Sequence, residues 1–508
     1  MDTIQRGVLD DTEQLDFDYI TNLRNFSVYS ALRGRTVGSW VYNTELQLDQ
    51  FIGMANNGGR GGNISNGYLT SSSSEFSGAY ASLYSNIANV NFLIEQCESM
   101  LASGSLNADE TVEVERYLGE AHFTRGWDYF WLLDHFTNTN EAATNAENAL
   151  GLQLVSVYAP TGESSKYPGR SSLKASIDFI NEDLDYALNA LTNYETNVSD
   201  AFCTAGANYL SSYAVQALQA RMALVIGDYE TAVTKAQAVI DNSNYSLAAG
   251  DAYLDMWYDA NVDELIFAPF VDKNEISDQQ AFSTCQGWNY WWVDPSQCDY
   301  IPTEASVYSL AEFEDAEGYL NDIRFYAFLG GQPSPILTES GTTQTYVFWK
   351  YPGNEDLDKT TTMYDNTPKP FRLSEQYLIL AEAAALIGDT KTTIAQDAIS
   401  DLVKARLYDD SDFTQINLTG TALLNFIRNE RSKELMGEGF RLSDLRRWKQ
   451  GFNRADEEYT INPVVAANRS INALQVKYAD DDYRFVWAIP QSEMNVNPQL
   501  AGQQNPGY

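Results

Sequence analysis

Two stretches far apart in the chain share one plan: "ALVIGDYETAVTKAQAVI", which starts at Ala223, and "ALIGDTKTTIAQDAISDL", which starts at Ala385. Each closes one helix on a Gly-Asp step, Gly227-Asp228 and Gly388-Asp389, and opens a second helix with alanines at helical spacing. Glycine suits the left-handed position after a helix, and aspartate can cap the helix that follows. Small residues at Ala232 and Ala236, and again at Ala395 and Ala398, let paired helices approach closely. A helix, a tight turn and an Ala-rich helix are the parts of a tetratricopeptide-like repeat. One such unit cannot bury its apolar face alone, so its presence commits the chain to a stack of helix pairs.

Further helical stretches extend the stack. Residues 79–101 and 111–136 read as an antiparallel pair. In the second of these, Leu118, Ala121, Tyr129, Leu132 and Phe136 line one face, while Phe123, Trp127, Phe130 and Trp131 line another. A helix apolar on two faces lies between neighbours. Residues 173–192, 208–226, 229–242, 372–387, 391–407 and 420–436 follow, so eight helices make four pairs. The predicted fold is mainly α, a single unit over residues 1–508 with its scaffold in 79–242 and 372–450.

Residues 34–78 and 245–370 lack helical spacing. They hold Gly, Asn and Ser runs, most of the tryptophans, and short strand-like pieces such as "ELIFAPF" and "TQTYVFWKYP". Long loops on a rigid scaffold are where binding residues concentrate. These two regions are therefore the expected ligand-binding parts.

Charge narrows the ligand. The chain carries 32 Lys and Arg against 70 Asp and Glu, a formal charge of −38. Such a field repels polyanions, which disfavours nucleic acid and anionic membrane surfaces. No run of about 18 uncharged apolar residues is present to span a bilayer. The opening "MDTIQRGVLDDTEQ" has no basic region followed by an apolar one, as a signal peptide has.

Signatures of chemistry are missing. His122 and His135 are the two histidines, both on the aromatic helix and outside any H-E-x-x-H arrangement. There is no G-x-S-x-G elbow, and "GGRGG" at 58–62 lacks the G-K-[ST] ending of a phosphate loop. No EF-hand loop appears, and Cys97, Cys203, Cys285 and Cys298 fit no C-x-x-C metal pattern. Cys285 and Cys298 could close a short loop by a disulfide outside the cytosol. No carboxylate pair stands out for glycoside hydrolysis. The expectation is a protein without catalytic residues, cofactor or metal.

Four motifs in order carry a resemblance. They are "YLGEAHFTRGWDYFWLLDHF" (117–136), "FRLSEQYLILAEAAALIGD" (371–389), "IRNERSKELMGEGFRLSDLRRWKQ" (427–450) and "WAIPQSEMNVNPQLAGQQNPGY" (487–508). Together the chain resembles the RagB/SusD family of Bacteroidetes nutrient-binding lipoproteins. It departs from the family pattern in small ways, such as Gly126 where alanine is usual. Read physically, the motifs are structural. Arg431 with Glu434, and Asp444 with Arg447, stand at i, i+3, and Gly437-Glu438-Gly439 breaks the chain between two helices.

The resemblance implies four tetratricopeptide-like pairs and no covalent chemistry. It also implies a lipoprotein tethered by an N-terminal Cys to the outer face of the outer membrane. The implied role is to capture a ligand, a glycan in most members and a peptide in some, for a SusC-like TonB-dependent transporter. The anchor Cys is not in this sequence, which looks like the mature soluble portion.

Sugar rings present C–H faces that stack on indole and phenol, while their hydroxyls need polar side chains nearby. The segment "CQGWNYWWVDPSQCDY" (285–300) supplies Trp288, Asn289, Tyr290, Trp291, Trp292, Asp294 and Tyr300. The early loop supplies Trp40, Tyr42, Asp49, Asn56, Arg60 and Tyr68, and "YVFWKYP" supplies Trp349 and Tyr351. Glycan capture is the leading expectation. A RagB-like peptide receptor, a protein-interaction scaffold and a glycoside hydrolase are the alternatives.

Overall fold

The turn at Gly227 sets the pattern of the scaffold. Gly227 ends its helix at φ 81° and ψ 16°, and Asp228 caps the next by accepting from the Thr231 N–H. The copy at Gly388 turns differently. Gly388 sits at φ 91° and ψ −144°, and Lys391 takes the N-cap position that the sequence assigns to Asp389. A wider loop there needs no aspartate cap.

A computed structural model describes residues 16–35, 38–55, 61–197, 207–274, 299–315, 318–338, 340–357 and 365–508. Among them the scaffold is α1 (Ser74–Ser103), α2 (Ala108–Phe136), α3 (Leu173–Asn197), α4 (Ser212–Ile226), α5 (Tyr229–Ile240), α6 (Leu373–Ile387), α7 (Thr392–Ala405) and α8 (Gly420–Glu434). Each packs on the next through α7, and α8 packs chiefly on α6. All eight fall on segments read from periodicity, and the fold is mainly helical as expected. Among the described residues no helix is long and apolar enough to cross a membrane.

The stack has two cores of different grain. Between α4 and α8 the interior is built on small residues, among them Ala220, Ala232, Ala236, Ala381, Ala384, Ala395 and Ala398. Around α1 and α2 it is aromatic, with Phe76, Phe123, Trp127, Tyr129, Phe136 and Trp487 inside. Almost every side of α2 is buried from Val114 to Phe136, because α1 and α3 flank it. At Gly119 a Cβ would stand 2.7 Å from the Ala190 Cβ, so only glycine allows α2 and α3 to approach this closely.

The loop regions hold more order than their sequence suggests. Short helices Ser39–Leu46, Asp251–Trp257, Glu304–Leu310 and Ile323–Leu329 lie within them. Two-stranded antiparallel ladders fasten distant segments. β1 (Phe51–Gly53) pairs β3 (Tyr300–Pro302), with Ile52 opposite Ile301, and so joins the two loop regions. β2 (Leu265–Phe267) pairs β6 (Phe371–Arg372), and β4 (Ser334–Thr338) forms a hairpin with β5 (Gly341–Thr345). The "ELIFAPF" piece is a strand as read; "TQTYVFWKYP" is strand only at its start.

A buried ionic hub locks loops to scaffold. Arg406 donates to Glu264 at 2.9 Å and to Glu434 at 2.9 Å, and Arg372 donates to the same two carboxylates at 2.8 Å each. All four side chains are sealed from water. Burial alone would raise the Glu434 pKa, but the guanidiniums of Arg406, Arg372 and Arg324 outweigh it and hold the carboxyl well below its usual range. The motif spacing pointed to Arg431 with Glu434; instead Arg431 pairs Asp444 at 2.8 Å, and Asp444 also pairs Arg447 at 2.9 Å as read. Helical spacing allows a contact, but burial of Glu434 beside three other cations decides which one forms.

Candidate functional site

Where the early loop meets the aromatic core, a cleft of about 480 Å³ opens. The helix Ser39–Leu46 brings Trp40, Tyr42 and Asn43 to it. The first turns of α1 bring Ser74, Glu75, Gly78 and Ser82, and the floor is Trp131 of α2 with Trp487 from the C-terminal segment. Trp40 and Tyr42 are half-buried, whereas Trp131 and Trp487 are 8% and 1% exposed. A ligand would therefore touch the first two rings and rest over the others.

Contacts fix this array before any ligand arrives. Trp40 meets Trp131 edge-on with centroids 5.0 Å apart, and the Arg35 guanidinium lies 4.7 Å from the Trp40 centroid. Arg35 is itself held by Asp128 at 2.8 Å, and Asp128 also accepts from Asn86 at 2.7 Å. Behind the floor, His135 stacks on Trp131 at 3.6 Å with planes 4° apart. The Trp487 indole N–H donates to Gln47 at 2.9 Å, and its backbone N–H donates to the His135 carbonyl at 2.7 Å. Burial lowers the His135 pKa to about 4, against the opposing pull of the Asp134 carboxylate. Burial, with the nearby Glu75 carboxylate second, raises the Tyr42 phenol above its ordinary value.

Glu75 is the carboxyl among the described residues lining this cleft. Glycoside hydrolysis in its usual form needs two, set across the scissile bond. Among the described residues no group of three His, Cys, Asp or Glu side chains is placed to hold a metal. What the described lining offers is apolar ring surface edged by a carboxyl, an amide and hydroxyls.

The sequence-expected residues disperse. Trp40 and Tyr42 come together in the cleft. Tyr300 is 3% exposed and packs beneath Gly61, where a glycine Cβ would stand 3.0 Å from its hydroxyl, so its ring is core at the back of the cleft. Asp49 lies elsewhere, bridging Arg441 at 2.8 and 2.6 Å in a polar groove of about 440 Å³ with Arg428 and Trp448. Tyr68 is exposed and does not line the cleft. Trp349 is half-buried beside Gly330, and Tyr351 donates its hydroxyl to the Gly437 carbonyl at 3.0 Å, which makes it a tie between the loop and the end of α8. Trp288, Asn289, Tyr290, Trp291, Trp292, Asp294, Asn56, Arg60 and the Cys285–Cys298 pair lie outside the described residues.

Sequence reasoning missed Asn43, Glu75, Trp131 and Trp487. Trp131 reads as core on an amphipathic helix, and it is core on one side. Trp487 stands in a terminal motif with nothing to mark one edge as cleft floor.

Comparisons with known proteins agree with this architecture. A model of the SusD family matches residues 325–508, and a model described as "starch-binding associating with outer membrane" matches residues 49–224. No curated protein matches. Among solved structures, a SusD superfamily protein of Bacteroides thetaiotaomicron is 24% identical, with a TM-score of 0.74 over 97% of this chain and 100% of its own. A SusD superfamily protein of Bacteroides vulgatus is 20% identical, with a TM-score of 0.71 over 97% and 99%. A SusD-like carbohydrate binding protein of the same species is 16% identical, with a TM-score of 0.66 over 95% and 97%.

Proposed function

Because the chain belongs to the SusD family, whose models match it in order over two long regions, we propose that it is a non-enzymatic receptor for a glycan. The glycan is gripped in the Trp40–Tyr42 cleft. The observation that carries this reading is the cleft itself: two accessible rings held rigid over an aromatic floor, edged by Glu75, Asn43 and serines. Sugar C–H faces stack on the rings, and hydroxyls bond to the edge. The starch-binding description of one matching family model and the carbohydrate binding of a structural neighbour support the ligand class.

The aromatic run Trp288, Trp291 and Trp292, which lies outside the described residues, stays a candidate for ligand contact in this reading. The receptor passes its glycan to a SusC-like TonB-dependent transporter at the outer membrane, as the family description of outer-membrane association supports.

Affinity electrophoresis and calorimetry against a polysaccharide and peptide panel test the reading. Trp40→Ala should weaken glycan binding about 30-fold, the effect of a buried aromatic anchor worth about 2 kcal/mol, while helical circular dichroism stays unchanged. Glycan retention indifferent to Trp40 and Tyr42, or retention of peptides alone, would remove the assignment.

A further inference from the structure

The first turns of α1 wall two clefts at once. Ser74, Glu75, Gly78 and Ser82 face the Trp40–Tyr42 cleft, while Ser77, Tyr80, Ala81 and Tyr84 face a second cleft of about 310 Å³ on the other flank. Each volume is in the range of small-molecule sites. The far wall of the second cleft is Gln153, Tyr167 and Pro168 on one side and Pro490, Glu493 and Val496 on the other.

This second cleft is built as the first is. The Tyr80 and Tyr84 rings lie 4.7 Å apart, and Gln153 holds both. Tyr84 donates to its carbonyl at 3.0 Å, Tyr80 donates to its side-chain oxygen, and its amide donates to Pro168 at 3.0 Å. Ring and proline faces supply the apolar wall, and Glu493, Ser77 and Ser492 supply polar edges. Val496 is 56% exposed at the mouth.

The ridge between the clefts is low. Gly78, Ala81 and Ser82 are its exposed residues. A glycine inside a helix costs about 1 kcal/mol relative to alanine, and at Gly78 no atom lies within 4 Å of where a Cβ would stand. Helix packing therefore gives no reason for glycine there, whereas passage of a ligand across the ridge does.

We propose that the Tyr80–Tyr84 cleft is a second subsite for the same glycan, a neutral chain that leaves the Trp40–Tyr42 cleft over Gly78. The inference rests on the reading of the first cleft. One carboxyl stands in each cleft, Glu75 and Glu493, so an acidic sugar chain is repelled at both ends and an uncharged one is not. Once the first cleft is filled, engagement of the second is intramolecular, and affinity rises with chain length without any change at the first.

Calorimetry with trimers and hexamers of the malto-, cello- and xylo-oligosaccharide series tests it. In the wild type the bound series should show at least a 10-fold gain from trimer to hexamer. Val496→Arg, an exposed change that fills the mouth, and Tyr84→Ala should each cut that gain below 3-fold and leave trimer affinity as it was. A gain absent in the wild type, or one that survives both variants, overturns the second subsite and leaves the first standing. Binding of no oligosaccharide, or of proline-rich peptides in place of sugars, overturns both.

Discussion

His135 is a histidine that has no use for its charge. It lies flat on Trp131, 4% exposed, with Arg446 discouraging a proton and Asp134 and the Trp131 carbonyl favouring one. Burial wins, and its folded pKa falls to about 4 from 6.5. A folded pKa below the unfolded one means that the unfolded chain takes up the proton first as pH falls. The stability this side chain contributes is whole above pH 6.5 and drains away down to about pH 4, a loss on the order of 3 kcal/mol. Thermal unfolding followed between pH 7 and pH 4 should show that decline, and His135→Phe should flatten its upper part. Because the folded His135 stays neutral until about pH 4, the cleft floor it supports should keep its shape over that interval, and ligand affinity should hold down to about pH 4 and fall only below it. Nothing in the sequence tells this histidine from His122, which meets Asp183 at 2.6 Å near the surface of α2; only the tertiary neighbours separate them.

At the level of elements, helices were readable and their fasteners were not. Periodicity and the Gly-Asp steps mark where α4 stops and α5 starts, since both signals act within a turn or two of chain. The hub that pins loops to scaffold joins residues such as Arg406 and Glu264, which are 142 positions apart. No local pattern announces such a pair, and the i, i+3 spacing of Arg431 and Glu434 pointed to the wrong one. Glu434→Gln tests how much the hub carries. It leaves Arg372 and Arg406 buried with less countercharge, so stability should fall by about 3–5 kcal/mol, read as a lower urea midpoint. The same limit applied to the site. Trp40 and Tyr42, which stand out as rings in a polar loop, line the cleft, whereas Asp49 and Tyr300, equally eligible by sequence, serve an ion pair and the core.

For the whole molecule the dominant fact is charge. A chain with a formal charge of −38 would govern any encounter with a charged ligand through long-range fields that salt screens. An uncharged glycan held by ring stacking and hydrogen bonds escapes that control. Its Kd should change less than about 2-fold between 50 and 500 mM NaCl, whereas an acidic polysaccharide would bind better as salt rises; titrations at the two concentrations decide between them. The interlocked Arg35–Trp40–Trp131–His135 column has one more consequence. Since its members are already braced against each other, a ligand docking on this column need not wait for these rings to rearrange. Discrimination among ligands would then fall to how long each one stays.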